Sequence, residues 1–146
     1  MIAVDTNVLV HAHREDSEWH APAAAAVERL AEGVRAWAIP WPCLHEFLAI
    51  VTHPRIFRPP STLPQALEQV RAWLESPSLV LLSESGAHLD TLESMLTASR
   101  SVGPRVHDAR VAALCMEHAV DTLWSADRDF ARFPDLSVEN PLVQPR

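Results

Sequence analysis

The sequence lacks long apolar runs. Although 48% of its 146 residues are hydrophobic, stretches such as 21–27 and 79–82 fall well short of the roughly 20 residues that a membrane-spanning helix needs. The first residues lead directly into an apolar segment without a basic region or a cleavage site, so we expect no signal peptide. These absences predict a cytoplasmic protein without a membrane partner. The length suits one domain, which we expect to span residues 1–146.

Cysteine and basic charge are also scarce. Cys43 and Cys115 are far apart in the chain and match neither a disulfide framework nor a Cys-x-x-Cys motif, so we expect two reduced, buried side chains. Lysine is absent, and the net charge is −7, which argues against a passive nucleic-acid binder. An enzyme that acts on nucleic acid stays open, because bound cations can neutralise a local cluster of carboxylates.

What the sequence has is a repeated alternation of strand-like and helix-like segments. The predicted strands are 2–5, 35–39, 79–82 and 122–124. The predicted helices are 7–13, 21–33, 43–52, 62–75, a segment through Leu89, Leu92 and Leu96, and 107–118, followed by a helical turn over 127–133 and a frayed tail. Because the strand segments are apolar runs rather than alternating ones, they predict a parallel α/β sheet covered by helices on both faces.

Carboxylates stand where two of these strands end. Asp5 closes the first strand, and Asp127 follows the strand 122–124. In parallel sheets, ligands bind beyond the carboxyl ends of the strands. The sequence therefore predicts that Asp5 and Asp127 lie at the same edge of the sheet.

Two helices each add one more carboxylate. Glu46 has apolar residues one turn before and one turn after it, which predicts a carboxylate lodged in the protein rather than in bulk water. Asp108 stands in the first turn of a helix, where capping and the helix dipole explain an aspartate equally well. A buried Glu46 can likewise be satisfied by an arginine. From these residues alone, both structural and functional roles stay open.

Four segments together resemble PIN-domain ribonucleases, in particular the VapC-type toxins of VapBC toxin–antitoxin modules. They are VDTNVL around Asp5, LHEFLAIVTHP around Glu46, HDARVAAL around Asp108 and WSADRDFARFP around Asp127. Each segment carries little information alone. Their shared order and approximate spacing extend the resemblance over nearly the whole chain.

The resemblance implies a fold, an activity and partners. The fold would be a PIN-like three-layer α/β/α arrangement with a central parallel sheet. The activity would be that of a Mg²⁺-dependent endoribonuclease, with Mn²⁺ as an alternative metal, acting on RNA as the toxin of a type II module. A VapB-type antitoxin would hold it inactive, and the protein would be a homodimer.

The resemblance also implies site residues. The acidic quartet would be Asp5, Glu46, Asp108 and Asp127, which would hold the metal and carry catalysis, with Asp129 as a fifth metal ligand. Supporting or substrate-contacting candidates are Thr6, Asn7, Ser125, Arg110 and Arg128. For the hydroxyl and amide residues, capping is an equal alternative. For the arginines, ordinary ion pairs with nearby carboxylates are the commoner role.

The chemistry of the acidic residues points the same way. Mg²⁺ prefers oxygen ligands, and clustered carboxylates without a cation raise one another's pKa. With a metal, water can hydrolyse a phosphodiester without a side-chain nucleophile. Substrate specificity would then lie in loops such as 53–63 and 99–105.

Other functions stay open at this stage. Two alternatives are a PIN nuclease of RNA processing without a toxin role and a catalytically silent binding module. A zinc site is disfavoured because the eight histidines include no His-Glu-x-x-His arrangement. A phosphatase with an aspartate nucleophile is disfavoured because Asn7 stands where its second acid would be.

Overall fold

The computed structural model describes residues 1–143. Within them, five strands form one sheet in the order β3-β2-β1-β4-β5, and every neighbouring pair is parallel. The strands are β1 (Ile2–Val4), β2 (Trp37–Pro40), β3 (Leu79–Leu82), β4 (Thr122–Trp124) and β5 (Val138–Glu139). The parallel sheet predicted from the apolar runs is confirmed.

Six α-helices of the described residues connect and flank the strands. They are α1 (Thr6–His13), α2 (His20–Glu32), α3 (Trp41–Val51), α4 (Leu63–Leu74), α5 (His88–Ser99) and α6 (Val106–Glu117), with 3-10 turns at Gly103–Arg105 and Arg128–Arg132. Most predicted bounds are shifted by one or two residues. The three-layer α/β/α prediction is confirmed, and no described helix is both long and apolar enough to span a bilayer.

The core lies on the central strands and on one face of α3. Ala3, Val4, Ala38 and Ile39 are fully buried, because β1 and β2 are covered on both faces. Phe47 of α3 packs edge to face against Trp73 of α4, with ring centroids 4.9 Å apart. This packing fixes α3 beside the end of the central strands.

Local signals set the start of α4. Thr62 Oγ1 accepts a hydrogen bond from the Gln65 backbone N–H at 3.2 Å, and Gln65 Oε1 accepts one from the Thr62 N–H at 2.9 Å. This reciprocal arrangement satisfies two N–H groups that the first turn of a helix leaves without partners. The predicted start at Thr62, with Pro64 in the first turn, is confirmed.

The cysteines lie where the sequence predicted. Cys43 on α3 and Cys115 on α6 are both free and buried. Burial raises the pKa of the Cys43 thiol well above its usual range and that of Cys115 to about 12. Both thiols are therefore protonated at neutral pH.

The predicted frayed tail is wrong for the residues that form β5. The backbone N–H groups of Leu123 and Ser125 donate to the carbonyls of Ser137 and Glu139 at 2.8 and 2.9 Å, and Leu136 and Leu142 are buried beside the strand. Two residues are too few to show a strand-like sequence pattern. The strand forms because the edge of β4 supplies its hydrogen bonds. Residues 144–146, the end of the predicted tail, lie outside the described residues.

Candidate metal and active site

The site lies at the carboxyl end of the sheet, where the strand order reverses. β1 is central, with β2 on one side and β4 on the other, and the connections leave in opposite directions. Such a switch point opens a crevice between the loops that follow the two strands. The backbone N–H of Asp5 donates to the Trp124 carbonyl at 2.9 Å, so the residues that follow β1 and β4 meet there.

Asp5 is the most deeply placed acidic group of this crevice. It is 6% exposed, and its Oδ2 accepts hydrogen bonds from Ser125 Oγ at 2.8 Å and from Asn7 Nδ2 at 3.2 Å. The Cys43 thiol donates to Oδ1 at 3.5 Å. Burial raises the pKa of Asp5 to about 6, although the bond from Ser125 opposes that shift.

Asn7 and Ser125 tie the two strand ends together. Asn7 Nδ2 donates to Ser125 Oγ at 3.1 Å, and Asn7 Oδ1 accepts from the Ala126 N–H at 3.0 Å. Ser125 Oγ also accepts from the Asp127 N–H at 3.0 Å. The Ser125 hydroxyl thus uses its one hydrogen on Asp5 and both lone pairs on its neighbours. Asp5 and Asp127 are therefore held in a fixed relation by one hydroxyl group.

Glu46 departs from its prediction. The buried face of α3 consists of Cys43, Leu44, Phe47 and Val51, and Glu46 lies beside that face and is exposed. The expectation that its carboxylate is lodged in the protein interior is wrong, because apolar residues one turn away do not fix how far a stripe extends around a helix. Thr6 Oγ1 donates to Glu46 Oε2 at 3.0 Å and so anchors the carboxylate from α1.

Three further carboxylates lie close to one another. Oxygens of Asp108, Asp127 and Asp129 lie within 4.8 Å of one another. Asp127 Oδ1 accepts from the Asp129 N–H at 2.8 Å, which orders the turn after β4. Asp108 stands in the first turn of α6, and no side-chain cap bond is made at this helix start.

The electrostatics of these carboxylates are repulsive. Burial raises the pKa of Asp108, and the negative charges of Asp127 and Asp129 raise it further. Glu46 adds to the same field, and the positive charge of Arg132 offsets it only in part. Across residues 1–143, no ion pair involves any of the five carboxylates.

The two arginine candidates lie in different settings. The Arg110 guanidinium forms an ion pair with Glu84, with Nε donating to Oε1 at 2.7 Å, which is the ordinary alternative considered from the sequence. Arg128 is exposed at the start of the 3-10 turn, between Asp127 and Asp129. Of these two arginines, Arg128 alone forms no ion pair within residues 1–143, so its guanidinium can contact an anion bound near the carboxylates.

The donor set fits a hard divalent cation. All five groups offer oxygen, which Mg²⁺ and Mn²⁺ prefer. The tight triplet is Asp108, Asp127 and Asp129, so two members of the predicted quartet, Asp5 and Glu46, stand outside it. The contact of Cys43 with Asp5 was not expected, since nothing in the spacing of the two residues links them.

The chain is similar to known proteins over nearly its full length. A PIN domain family model matches residues 2–136. The VapC ribonuclease Mb2897 of Mycobacterium bovis is 35% identical over 142 residues, which cover 97% of this chain and 96% of that protein. Ribonuclease VapC48 of Mycobacterium tuberculosis is 30% identical over 137 residues, 94% of each chain.

Solved structures share the fold. VapBC2 from Rickettsia felis, bound to a DNA fragment from their promoter, aligns with a TM-score of 0.69 at 20% identity, covering 96% of this chain and 98% of that chain. Mycobacterium tuberculosis VapC20, a Sarcin-Ricin loop cleaving toxin, aligns with a TM-score of 0.65 at 15% identity, covering 90% and 93%. At these identities the likeness shows a common α/β/α architecture.

Proposed function

Because the chain belongs to the PIN domain family and to its VapC ribonucleases, we propose that it is a metal-dependent endoribonuclease that acts as the toxin of a type II toxin–antitoxin module. The observation that carries this proposal is the set of five carboxylates at the switch point, none of which forms an ion pair within residues 1–143. A structural acidic cluster would gain stability from an arginine, whereas a metal site needs its charge left open.

The residues divide into ligands and supporting groups. Asp108, Asp127 and Asp129 would hold Mg²⁺ or Mn²⁺, with Asp5 and Glu46 contributing directly or through water. A bound divalent ion lowers the pKa of water and stabilises the charge that develops on a phosphodiester. Hydrolysis by water then needs no side-chain nucleophile.

The chain's own contribution is to hold the carboxylates in place. Asn7 and Ser125 fix Asp5 and the turn that carries Asp127, and Thr6 fixes Glu46. Neutral donors orient a carboxylate without cancelling its charge, which an arginine would do. The predicted supporting roles of Thr6, Asn7 and Ser125 rest on these contacts.

The toxin role brings a protein partner. The VapC names of the curated relatives support a cognate VapB-type antitoxin as that partner and RNA as the substrate. We include a homodimer and a cytoplasmic location in the same proposal. Coexpression with the protein encoded by the adjacent small open reading frame should yield a stable complex, and its absence would leave a PIN nuclease without a toxin role.

The test of the reaction is cleavage of total cellular RNA by purified protein with Mg²⁺, with Mn²⁺ and with EDTA. Wild-type protein should cut RNA only with a metal, and Asp127→Asn should not cut. The matched control is Asp16→Asn, since Asp16 is an exposed carboxylate paired with Arg14 outside the site. Folded wild-type protein that cuts nothing under either metal would overturn the proposal and favour a silent binding module.

A further inference from the structure

A cavity of about 620 Å³ opens directly beside the carboxylates. It lies between the turn that follows β4 and the segment that leads into and out of β5. Ser125 and Asp127 line both the cavity and the acidic site, so the two are continuous. We propose that this cavity binds a nucleobase of the RNA strand next to the cleaved phosphate, an inference that rests on the proposed function and assigns its substrate subsite.

The size and walls of the cavity suit a base. Its volume falls within the range of about 300–1,000 Å³ that is usual for small-molecule sites. One wall is apolar and comes from Phe133, Leu136 and Val138. Phe133 is 2% exposed and Leu136 is 7% exposed, so core packing holds this wall in place. The more exposed Val138 and Val143 offer the apolar surface of the cavity that the flat face of a base can contact.

Asn140 supplies a polar group to the same cavity. Its Oδ1 accepts the backbone N–H of Leu142 at 3.0 Å, and this bond orients the amide. Nδ2 is then the group left to donate to a base edge, where ring nitrogens and carbonyl oxygens accept hydrogen bonds. Single-stranded RNA is recognised through such edge contacts together with apolar or stacking contact.

Arg128 adds a positive charge at the lining. Unlike Arg14 and Arg110, which pair with Asp16 and Glu84, it forms no ion pair within residues 1–143. A guanidinium matches the geometry of a phosphate. The cavity therefore offers a surface for a base, a donor for its edge and a cation for the backbone, immediately beside the carboxylates.

A second large groove of the described residues lacks this combination. It has a volume of about 680 Å³, and three carboxylates line it, those of Glu15, Asp16 and Glu68. Arg14 also lines it, but its guanidinium is already paired with Asp16. Its polar groups already bond to each other, since His13 contacts both Gln69 and Ser61. The cavity beside Asp127 is therefore favoured as the RNA subsite, because its arginine, Arg128, forms no ion pair within residues 1–143 whereas Arg14 of the second groove does.

The test fills each groove with one large side chain. Ala131 lines the proposed subsite and Ala72 lines the other groove, and both are exposed, so Ala131→Trp and Ala72→Trp form a matched pair. The probes are the four nucleoside 5′-monophosphates with Mg²⁺, titrated by calorimetry and by NMR of the Asn140 side-chain amide. At least one nucleotide should shift that amide, and Ala131→Trp should weaken its binding at least 10-fold while Ala72→Trp leaves it unchanged.

A second variant guards against misfolding. Asn140→Asp keeps an oxygen for the Leu142 N–H but replaces the donor by an acceptor, and it should weaken the same nucleotide. Circular dichroism and the melting temperature establish that each variant is folded. If no nucleotide shifts the Asn140 amide, or if neither variant changes binding, the subsite is refuted.

Cleavage of a randomised RNA pool separates this inference from the proposed function. Ala131→Trp should alter the base preference at one position beside the cut, and Ala72→Trp should not. Metal-dependent cleavage with an unchanged preference and unchanged nucleotide binding in Ala131→Trp would refute the subsite and leave the nuclease standing. Nucleotide binding that Ala131→Trp weakens, in a protein that cuts no RNA, would support base binding by the cavity and refute the nuclease, and with it the role of the cavity as a substrate subsite.

Discussion

Two groups of acidic side chains in this protein occupy different settings. At the periphery each of four carboxylates has a basic partner: Asp16 with Arg14, Glu84 with Arg110, Glu117 with His88 and Asp121 with the N-terminal amine. At the carboxyl end of the sheet, hydroxyl, amide, thiol and backbone groups donate to three of the five carboxylates, Asp5, Glu46 and Asp127. None of the five forms an ion pair with a basic side chain of the described residues.

The presence or absence of a basic partner decides whether a carboxylate stabilises the fold or stays available to bind a cation. A basic partner lowers the electrostatic energy of a carboxylate but also cancels its field. Neutral donors fix the direction of Asp5 and Glu46 and leave their charges uncancelled. Burial raises the pKa of Asp5 and of Asp108, and neighbouring carboxylates raise both further. The sheet edge therefore keeps a destabilising concentration of negative charge, which a bound cation would relieve.

The largest expected effect comes from removing one charge of the tight triplet. Asp108→Asn keeps the shape of the side chain but removes its negative charge, so metal-dependent RNA cleavage should fall about 100-fold or more, since even residues that only support metal ligands are worth 10–100-fold. Initial cleavage rates at saturating Mg²⁺ measure this. Full activity in Asp108→Asn would show that the triplet is not the metal site.

The next effect is on stability and depends on pH. Asp5 is buried, and its pKa is raised from 3.8 to about 6, so its ionisation lowers the free energy of unfolding. This loss of stability is absent below pH 3.8, grows between pH 3.8 and pH 6, and is complete above pH 6. Asp5→Asn should therefore stabilise the metal-free protein at pH 7.5 by roughly 2 kcal/mol, given 1.36 kcal/mol per pKa unit less some lost hydrogen bonding, with no gain at pH 3.5.

The matched peripheral variant should have the opposite sign. The hydrogen bond from Arg14 holds the pKa of Asp16 below its usual range, so ionised Asp16 favours the folded state, and Asp16→Asn should lower stability at pH 7.5. Urea unfolding at both pH values, in EDTA, compares the two variants. A loss of stability in Asp5→Asn at pH 7.5 would contradict the contrast between the two settings.

Added Mg²⁺ should stabilise the wild-type protein more than a variant that lacks one carboxylate of the triplet. Mg²⁺ at ten times its dissociation constant should stabilise the wild-type protein by about 1.4 kcal/mol, since a ligand that binds only the folded state stabilises it by mass action. EDTA should reverse the gain. Asp108→Asn should show a much smaller shift at the same Mg²⁺ concentration in a thermal melt. An equal shift would mean that Mg²⁺ binds elsewhere.

The smallest effect is expected at a peripheral pair. Glu84 and Arg110 are both more than one-third exposed, and exposed ion pairs contribute less than about 1 kcal/mol. Glu84→Gln should therefore change the urea midpoint only slightly and leave RNA cleavage unchanged. A large loss of cleavage in Glu84→Gln would assign Arg110 to the reaction.

The sequence carried enough information for the frame of the fold. Strands such as β3 and β4 match their predicted bounds because short apolar runs mark the strands of a parallel sheet. The predicted burial of β3 is wrong except at Leu82, because β3 lies at the edge of the sheet and Val80 is exposed. The start of α4 was predictable because its capping groups are local. The placement of Asp5 and Asp127 near each other followed from topology, since parallel strands share one carboxyl edge.

Features that depend on distant contacts were not predictable. The exposure of Glu46 depends on how far the buried face of α3 extends, which its packing against α1 and α4 decides. β5 forms only because β4 offers an unpaired edge. The cavity beside Asp127 has no signal in the sequence, because its walls come from residues that meet only when the tail docks.

The hydrogen bond from Ser125 to Asp5 joins residues 120 positions apart. A ribosome that adds about 5–20 residues per second needs roughly 10 s to make the intervening chain. During synthesis the first carboxylate is thus present long before its partners have been made. The five carboxylates cannot assemble until β4 and the turn after it have emerged, so a nascent chain lacks the complete site until Asp129 has been made.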